Sequence, residues 1–301
     1  MSTGDEPIRF ERVTCCYGRM RALDDVSFVV PTGSVFALLG RNGAGKTTAI
    51  RALLGLLPPT RGHVRVLGHD ALTLPPPLRA RIAYVGEGHP LPRWMRVRDV
   101  VAFQASTFPT FDRDLCRRWL ARFQLPEKRR VYQLSRGMKA QLALSVALAP
   151  RPELVVLDDP ALGLDTVARR EFLEVMIDLI QEEGRTLLFT SHVLTDVERV
   201  ADRVALLDHG VLRIDAPLDE IQRRVRRYAL EFAGSTPDEA PVLPGLIRAR
   251  KRQGRWAATV AGDEEGVRGA ARDLGATVLS SEPLSLEDLF VDYTTTEDVA
   301  S

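Results

Sequence analysis

A glycine-rich run near the N-terminus has the residue types and spacing of a phosphate-binding loop. The pattern G-x-x-x-x-G-K-[ST] is matched once, by Gly40-Arg41-Asn42-Gly43-Ala44-Gly45-Lys46-Thr47-Thr48. Its glycines let successive backbone N–H groups point into one concavity that binds phosphate, and a helix N-terminus adds partial positive charge. Lys46 then places a cation on the β- and γ-phosphates of a nucleotide, and the Thr47 hydroxyl is the expected Mg²⁺ ligand. A chance glycine turn is the alternative, but the apolar strand Val35–Leu39 before the run and the helix after it argue against that reading.

Two carboxylates follow a second apolar run further along the chain. Asp158 and Asp159 come directly after Leu154–Leu157. At the C-terminal end of a strand, Asp158 can face a Mg²⁺ ion beside the phosphate loop. An aspartate in this position is often only a turn residue, so the interpretation depends on the phosphate loop that precedes it.

The segment between the phosphate loop and the carboxylates indicates the family. It reads Leu134-Ser135-Arg136-Gly137-Met138-Lys139. A serine cap and a glycine at a helix start make a second anion site, although alone they describe only a well-capped helix. In this order along the chain, the segment resembles the LSGGQ signature of ABC transporter ATPases. Ser135 and Gly137, the two phosphate-facing positions of that signature, are kept, whereas Arg136 and Met138 depart from it.

The resemblance implies roles for three further residues. Tyr17 matches the aromatic residue that stacks on adenine, and Asp165 matches the D-loop aspartate. His192 matches the switch histidine that contacts the γ-phosphate. As a lone residue it would be a surface or core histidine, and its place after the strand-like run Thr186–Thr190 is what favours the role.

Two acidic residues depart from the family pattern. Asp159 occupies the position of the catalytic glutamate, which orients or deprotonates the attacking water, and its side chain is shorter by one methylene. A displacement of about 1 Å can cost on the order of a hundredfold in rate, so we expect slow hydrolysis and a long-lived ATP-bound dimer. Glu87 stands where the family has the Q-loop glutamine; it can coordinate Mg²⁺ or orient a water, while adding negative charge near the phosphates. A misalignment by one residue in a variable loop is the alternative for Glu87.

Strand-like and helical runs alternate along most of the chain, which indicates parallel strands with crossover helices. The expected fold is therefore α/β: a P-loop NTPase of the ABC ATPase type, with a mixed sheet, a helical subdomain and a small C-terminal α+β appendix. We expect an ATPase domain over residues 1–219, with the helical subdomain at about 88–150, and an accessory domain over 220–301. A helix from Lys46 to Leu57, stopped by Pro58-Pro59, and a surface loop at Pro75–Pro77 are also predicted.

Composition excludes several classes of protein. The 301 residues carry 41 basic and 40 acidic side chains, so bulk charge argues against nucleic-acid binding. Apolar runs are far shorter than the roughly 20 residues that span a membrane, and the acidic start lacks a signal-peptide core. The cysteines Cys15, Cys16 and Cys116 form no CxxC pair, which favours reduced thiols in the cytosol over disulfides or a zinc site.

The resemblance is nearest to the ATPase subunits of ABC-2-type exporters, as in bacterial antibiotic and antimicrobial-peptide export. Arg169–Glu174, Val193–Asp202 and Leu286–Val291 are similar to that group. It implies ATP and Mg²⁺ as cofactors, an integral-membrane ABC-2-type permease as partner, and a place on the cytoplasmic face of the membrane. Two chains lie head to tail, so that ATP on one phosphate loop meets the signature of the other chain. The second chain is an identical copy or another ABC ATPase that supplies a glutamate.

Two alternatives stay open at this point. A nucleotide-gated regulatory or resistance module, with vestigial hydrolysis and no transport, is the rival function, and Asp159 favours it. The resemblance implies that residues from about Gly88 to Arg98 receive the coupling helix of the permease; this docking segment and the exporter-type tail favour transport. In that segment, Trp94 and Met95 are either contacts for the permease or core residues. The arginines at Arg223–Arg227 and Arg248–Arg255 are interpreted as a solvated face rather than a site for lipid headgroups or an acidic partner.

Overall fold

The chain divides into two compact units, one ending at Leu212 and the other beginning at Arg213. The computed structural model describes residues 6–233 and 236–295, without the side chains of residues 166, 167 and 178–183. The division predicted from composition, at residues 219 and 220, stays a prediction. The elements from the N-terminus to the end of the strand that crosses the boundary are β1 (Ile8–Tyr17), β2 (Met20–Val30), β3 (Val35–Leu39), α1 (Lys46–Leu53), β4 (Arg61–Val66), β5 (His69–Asp70), α2 (Pro76–Arg79), β6 (Ile82–Val85), α3 (Val97–Thr107), α4 (Arg113–Arg122), α5 (Arg136–Leu148), β7 (Leu154–Leu157), α6 (Thr166–Glu183), β8 (Thr186–Thr190), α7 (Leu194–Val200), β9 (Arg203–Asp208) and β10 (Val211–Pro217).

The first unit is built on two sheets. An antiparallel sheet has the strand order β2-β1-β4-β5, and a six-stranded sheet has the order β10-β9-β3-β8-β7-β6. In the larger sheet β9, β3, β8, β7 and β6 run parallel to one another, as the alternation of strands and helices predicts. Every residue of Val35–Leu39 is buried, which is typical of a strand covered on both faces.

Aromatic rings join the two sheets into one core. Phe10 and Phe28 of the antiparallel sheet stack with centroids 4.4 Å apart, and Phe28 stacks on Phe36 of the larger sheet at 5.4 Å. Ile50 and Leu53 of α1 are buried in the same cluster. The helix that follows the glycine-rich run is thus fixed against a rigid core.

Two expectations about prolines are wrong. Helix α1 ends at Leu53 and not at Leu57, because Gly55 takes φ +69°, a conformation that ends helices, and the Leu56 N–H bonds the Arg51 carbonyl at 2.8 Å. The proline run at 75–77 is not a plain surface loop. It starts α2 (Pro76–Arg79), since the first turn of a helix needs no backbone donor from proline.

The segment expected to be a helical subdomain contains α3, α4 and α5. Asp112 caps α4, accepting from the Leu115 N–H at 2.8 Å, and Ser135 caps α5, accepting from the Met138 N–H at 3.1 Å. The Ser135 cap confirms the helix start predicted from the sequence. Within the described residues no helix is long and apolar enough to cross a membrane.

The second unit is a four-stranded antiparallel sheet with helices, an α+β arrangement as predicted. Its remaining elements are α8 (Leu218–Arg224), β11 (Val225–Phe232), β12 (Leu246–Arg252), β13 (Arg255–Ala261), α9 (Glu264–Asp273), β14 (Ala276–Pro283) and α10 (Leu286–Thr294). The strand order is β12-β13-β11-β14, and the core includes the side chains of Tyr228 and Trp256.

The interpretation of the arginine-rich segments as one solvated face is wrong for Arg248. This side chain is 7% exposed, and its Nη1 lies 4.0 Å from Oδ1 of the buried Asp292. It stands in β12, a strand that the sequence analysis missed because basic residues interrupt its apolar pattern. Arg252 and Arg255 at the other end of the segment are exposed, as expected.

Candidate nucleotide-binding and catalytic site

Four chain segments with functional side chains leave the same edge of the larger sheet. The glycine-rich run follows β3, Ser191 and His192 follow β8, Asp158 and Asp159 follow β7, and Glu87 follows β6. These strands are parallel and adjacent, so their C-terminal ends lie side by side. Ligand sites of open α/β sheets form at this edge.

The glycine-rich run forms a cradle that packs against other parts of the protein on one side and is open on the other. A side chain on Gly40 would have its Cβ 2.5 Å from the Leu207 carbonyl oxygen, and one on Gly45 would be 2.8 Å from a methyl of Leu23. Gly40, Gly43 and Gly45 have φ of +155°, +83° and +108°, which glycine tolerates best. Gly43 faces open space. The loop therefore approaches other backbone on one side and leaves the other free.

Lys46 lies inside this cradle. Its Nζ donates to the Gly40 carbonyl at 2.7 Å and to the Arg41 carbonyl at 3.2 Å. Burial lowers the pKa of Lys46, and the nearby charges of Asp159, Asp158 and Glu87 act in the opposite direction. The cation thus faces three carboxylates. Anionic phosphate oxygens would stabilise its charged form further.

One threonine, which the sequence analysis missed, links the two aspartates. The Thr190 hydroxyl donates to Asp158 Oδ1 at 2.8 Å and accepts from the Asp159 N–H at 2.8 Å. Thr190 is fully buried, and Asp158 is 5% exposed. The signal was a polar residue ending an otherwise apolar strand, two positions before His192.

Asp159 is held by its backbone and by one of its two carboxylate oxygens. His192 Nδ1 lies 2.7 Å from Asp159 Oδ2, while Asp159 Oδ1 is buried without a hydrogen-bond partner among the described residues. The backbone of Asp159 has φ +46°, and Pro160 follows it. Left-handed backbone in a residue other than glycine costs of order 1–3 kcal/mol and persists only where surrounding contacts enforce it.

An ion pair fixes the chain segment that follows His192. Arg169 Nε on α6 lies 3.6 Å from Asp196 Oδ2 on α7, the helix that begins just after His192. Burial raises the pKa of Asp196, and the charges of Arg169, Arg199 and His192 oppose this effect. The pair therefore ties the start of α7 to α6.

Ser135, Gly137 and Asp165 form a second group, built from the signature and D-loop segments. A side chain on Gly137 would have its Cβ 3.1 Å from the Ala168 Cβ, so this glycine permits close packing of α5 on α6. Asp165 accepts from the Ala168 N–H at 2.9 Å and so caps α6. Both Ser135 and Asp165 are exposed. The roles of these residues toward a nucleotide stay predictions.

The remaining predicted residues are exposed. Tyr17 ends β1 with 40% of its surface exposed, and Glu87, Thr47, Arg41 and Asn42 are also exposed. Ala44 and Thr48, in contrast, are buried, so their place in the motif is to pack the loop and α1.

The sequence comparisons agree with this geometry. A family model described as ABC transporter matches residues 23–162. The Nod factor export ATP-binding protein I of Neorhizobium galegae is 34% identical over 301 residues, covering 95% of this chain and 84% of that protein. The chain belongs to the ABC transporter ATP-binding proteins. It is accordingly an ATPase of the ABC type, as the motifs predict.

Other relatives of this ABC ATPase carry similar names. The bacitracin transport ATP-binding protein BcrA of Bacillus licheniformis is 32% identical over 238 residues, covering 78% of each chain. The ABC transporter ATP-binding protein YtrB of Bacillus subtilis is 29% identical over 272 residues, covering 90% of this chain and 92% of that protein. The predicted resemblance to ATPases of exporters is confirmed.

Solved structures confirm the fold of this ABC ATPase. The ATP-binding subunit of an ABC transporter superposes with a TM-score of 0.64 at 28% identity, over 72% of this chain and 92% of that chain. A dimeric ATP-binding cassette bound to ADP and Pi superposes with a TM-score of 0.63 at 21% identity, over 70% of this chain and 98% of that chain. The predicted fold class is therefore correct.

The donor set suits a Mg²⁺ ion only in company with phosphate. Within the described residues, no three His, Cys, Asp or Glu side chains are grouped to hold a metal ion. Protein sites for Mg²⁺ commonly use one or two carboxylates together with substrate phosphates and water. Thr47 and Asp158, with Glu87, fit this pattern because they lie at the same sheet edge as the phosphate cradle.

A second residue that the sequence analysis missed is His89. It is 6% exposed, and its Nε2 lies 3.0 Å from the carbonyl oxygen of Pro160, the residue after Asp159. Burial lowers the pKa of His89, while the Pro160 carbonyl and the charge of Asp159 act to raise it. No motif marks this residue, since it lies in a loop where the family pattern is variable.

Proposed function

We propose that this chain is the ATP-hydrolysing subunit of an exporter, energising a separate ABC-2-type permease through ATP-driven dimerisation. The observation that carries the proposal is the state of Asp159 at the sheet edge. One carboxylate oxygen is fixed by His192, and the other is buried and has no partner among the described residues. The side chain is 20% exposed, so its carboxylate can accept a hydrogen bond from a water molecule. The names of relatives, which include bacitracin transport and Nod factor export, support the export part.

Each residue of the site contributes one part of the reaction. The glycine-rich loop and Lys46 hold and neutralise the phosphates of ATP, and Tyr17 stacks on adenine. Thr47, Asp158 and Glu87 would hold Mg²⁺, which supplies charge neutralisation on the phosphate oxygens. The Asp159 carboxylate orients the attacking water and takes its proton, while His192 keeps the carboxylate in place and contacts the γ-phosphate.

The second group of predicted residues supports a head-to-tail dimer. Ser135 and Asp165 are exposed, and the first backbone N–H groups of α5 have no partner within their own helix. In the proposed dimer they meet ATP held by the phosphate loop of the other chain. ATP then links the two chains, and hydrolysis separates them.

Steady-state ATPase assays on wild type and Asp159→Glu test the proposed slow hydrolysis. The shorter aspartate places its oxygens back from the phosphates, and a misplacement of about 1 Å costs on the order of a hundredfold in rate. We therefore expect kcat to rise in Asp159→Glu with little change in the KM for ATP. An equal or lower kcat in the variant would contradict the proposal.

The predicted docking segment has an exposed aromatic residue. Trp94 is 68% exposed, so core packing is the wrong interpretation for this side chain; Met95 is partly buried. A cleft of about 220 Å³ lies beside the same segment, lined by residues that include Tyr84, Leu91 and Phe108. An apolar segment of the permease fits such a surface.

The rival function is a nucleotide-gated module without transport, which Asp159 favours because a slow enzyme holds its ATP-bound state for longer. Affinity purification from gently solubilised membranes discriminates between the two. Transport predicts an integral-membrane protein that copurifies with wild type and is lost from Trp94→Ala, while Val242→Ala, which alters another exposed apolar residue, in the second unit, retains it. Recovery without any membrane protein would favour the module.

A further inference from the structure

The backbone that carries the catalytic carboxylate is under strain and needs restraint. Asp159 has φ +46°, and its following residue is a proline, which disfavours helical backbone in the residue before it. On one side the restraint comes from Thr190, which accepts from the Asp159 N–H at 2.8 Å. His192 restrains the carboxylate but not the peptide that follows it. The peptide after Asp159 begins a turn, in which the Asp159 carbonyl accepts from the Leu162 N–H at 3.1 Å. A second anchor, on the next carbonyl of this turn, would fix the strained backbone from that side.

His89 supplies that anchor. Its Nε2 lies 3.0 Å from the Pro160 oxygen, and a carbonyl only accepts, so Nε2 carries the hydrogen and donates. The ring is 6% exposed, which removes competition from water. The loop is itself shaped for this contact, because His89 has φ +53° and its N–H bonds the Gly86 carbonyl at 3.1 Å. Histidine is among the residues that adopt this backbone conformation more readily.

We propose that His89 is a positioning residue for hydrolysis: its hydrogen bond to the Pro160 carbonyl fixes the turn that follows Asp159 and so holds the strained backbone that sets the direction of the Asp159 carboxylate. The inference rests on the proposed role of Asp159. His89 lies at the start of the docking segment. Its hydrogen bond to Pro160 therefore also couples the position of that segment to the position of the Asp159 carboxylate. A partner that shifts the segment shifts Pro160 with it.

The test compares His89→Gln with His89→Leu in steady-state ATPase assays on the full chain. The amide nitrogen of glutamine can take the place of Nε2, whereas leucine fills the space without a donor; both carry the same backbone penalty. We expect His89→Leu to lose about tenfold or more in kcat at a KM for ATP within about twofold of wild type, since misplacement by about 1 Å is costly. His89→Gln should recover most of the loss.

A second measurement separates positioning from general damage to the fold. If His89 acts through Asp159, His89→Leu causes no further loss of the residual rate in an Asp159→Asn background. Equal kcat values for His89→Leu and wild type would overturn the inference and leave the proposed function standing. An equal loss in the glutamine and leucine variants, or an undiminished loss in the Asp159→Asn background, would also overturn it. A wild type that binds ATP without hydrolysing it would overturn the proposed function and this inference together.

Discussion

Two aspartates, one in each unit, have opposite surroundings. Asp159 has one oxygen on His192, one oxygen without a partner among the described residues, and left-handed backbone. Asp292 lies in the regular helix α10 with its side chain 4% exposed. Its Oδ2 accepts from the Thr259 hydroxyl at 2.6 Å and from Arg227 Nη2 at 3.0 Å.

The difference shows how the same side chain serves two purposes. A buried carboxylate that accepts from a hydroxyl and an arginine already has strong partners, so Asp292 fastens its helix to the sheet of the second unit. A carboxylate with one oxygen that has no partner among the described residues, on strained backbone, gives up stability, and Asp159 stands where β7 ends, at the sheet edge that carries the phosphate loop. Substitutions should therefore separate stability from catalysis.

Asp292→Ala should produce the largest change in stability. It leaves the charge of Arg248 buried without its carboxylate, and breaking a buried pair in this way costs about 3–5 kcal/mol. Chemical denaturation followed by circular dichroism measures the loss in the second unit, and the ATPase kcat under native conditions should stay near wild type. Asp238→Ala is the matched control, since Asp238 pairs with Lys251 while fully exposed, and it should unfold like wild type. Equal losses of stability in the two variants would contradict the expectation that the buried, paired Asp292 stabilises its unit more than the exposed Asp238 does.

A smaller change in the free energy of unfolding is expected as the pH falls. Burial is the main cause that lowers the pKa of His89 below the ordinary 6.5, so the folded chain binds its proton less readily than the unfolded chain. The stability associated with neutral His89 is present above pH 6.5 and is lost as the pH falls below that value. The unfolding free energy of wild type should decrease from about pH 7 to about pH 5 by more than that of His89→Gln. Parallel curves for the two proteins would show that this buried ring does not contribute to acid sensitivity.

The sequence predicts the parts of the site that local rules determine. A glycine pattern between a strand and a helix places Lys46 at the start of the helix, beside the phosphate loop. Parallel strands bring Asp158 and His192 to the same edge of the sheet. The cap at Ser135 is local for the same reason. These features depend on residues close in sequence or on the general geometry of parallel sheets.

Contacts between distant loops could not be predicted in this way. The bond from His89 to Pro160 depends on how two loops meet after folding, and so does the placement of Thr190 between two aspartates. The burial of Arg248 was missed because a basic strand has the same local pattern as a solvated surface. The structure supplies these partners because they are set by tertiary packing, which no spacing along the chain records.

The most direct measurement is the mass and turnover of Asp159→Asn in the presence of ATP and Mg²⁺. Loss of the carboxylate should reduce kcat by about 10²–10⁴-fold while ATP binding is kept, so that the nucleotide-linked dimer accumulates. Light scattering should then give twice the 33.4 kDa of the chain, with one ATP per chain, and Lys46→Ala should remain monomeric. Asp159→Asn that hydrolyses ATP at the wild-type rate, or that binds ATP and stays at 33.4 kDa, would contradict the assignment of Asp159 or the self-paired dimer respectively.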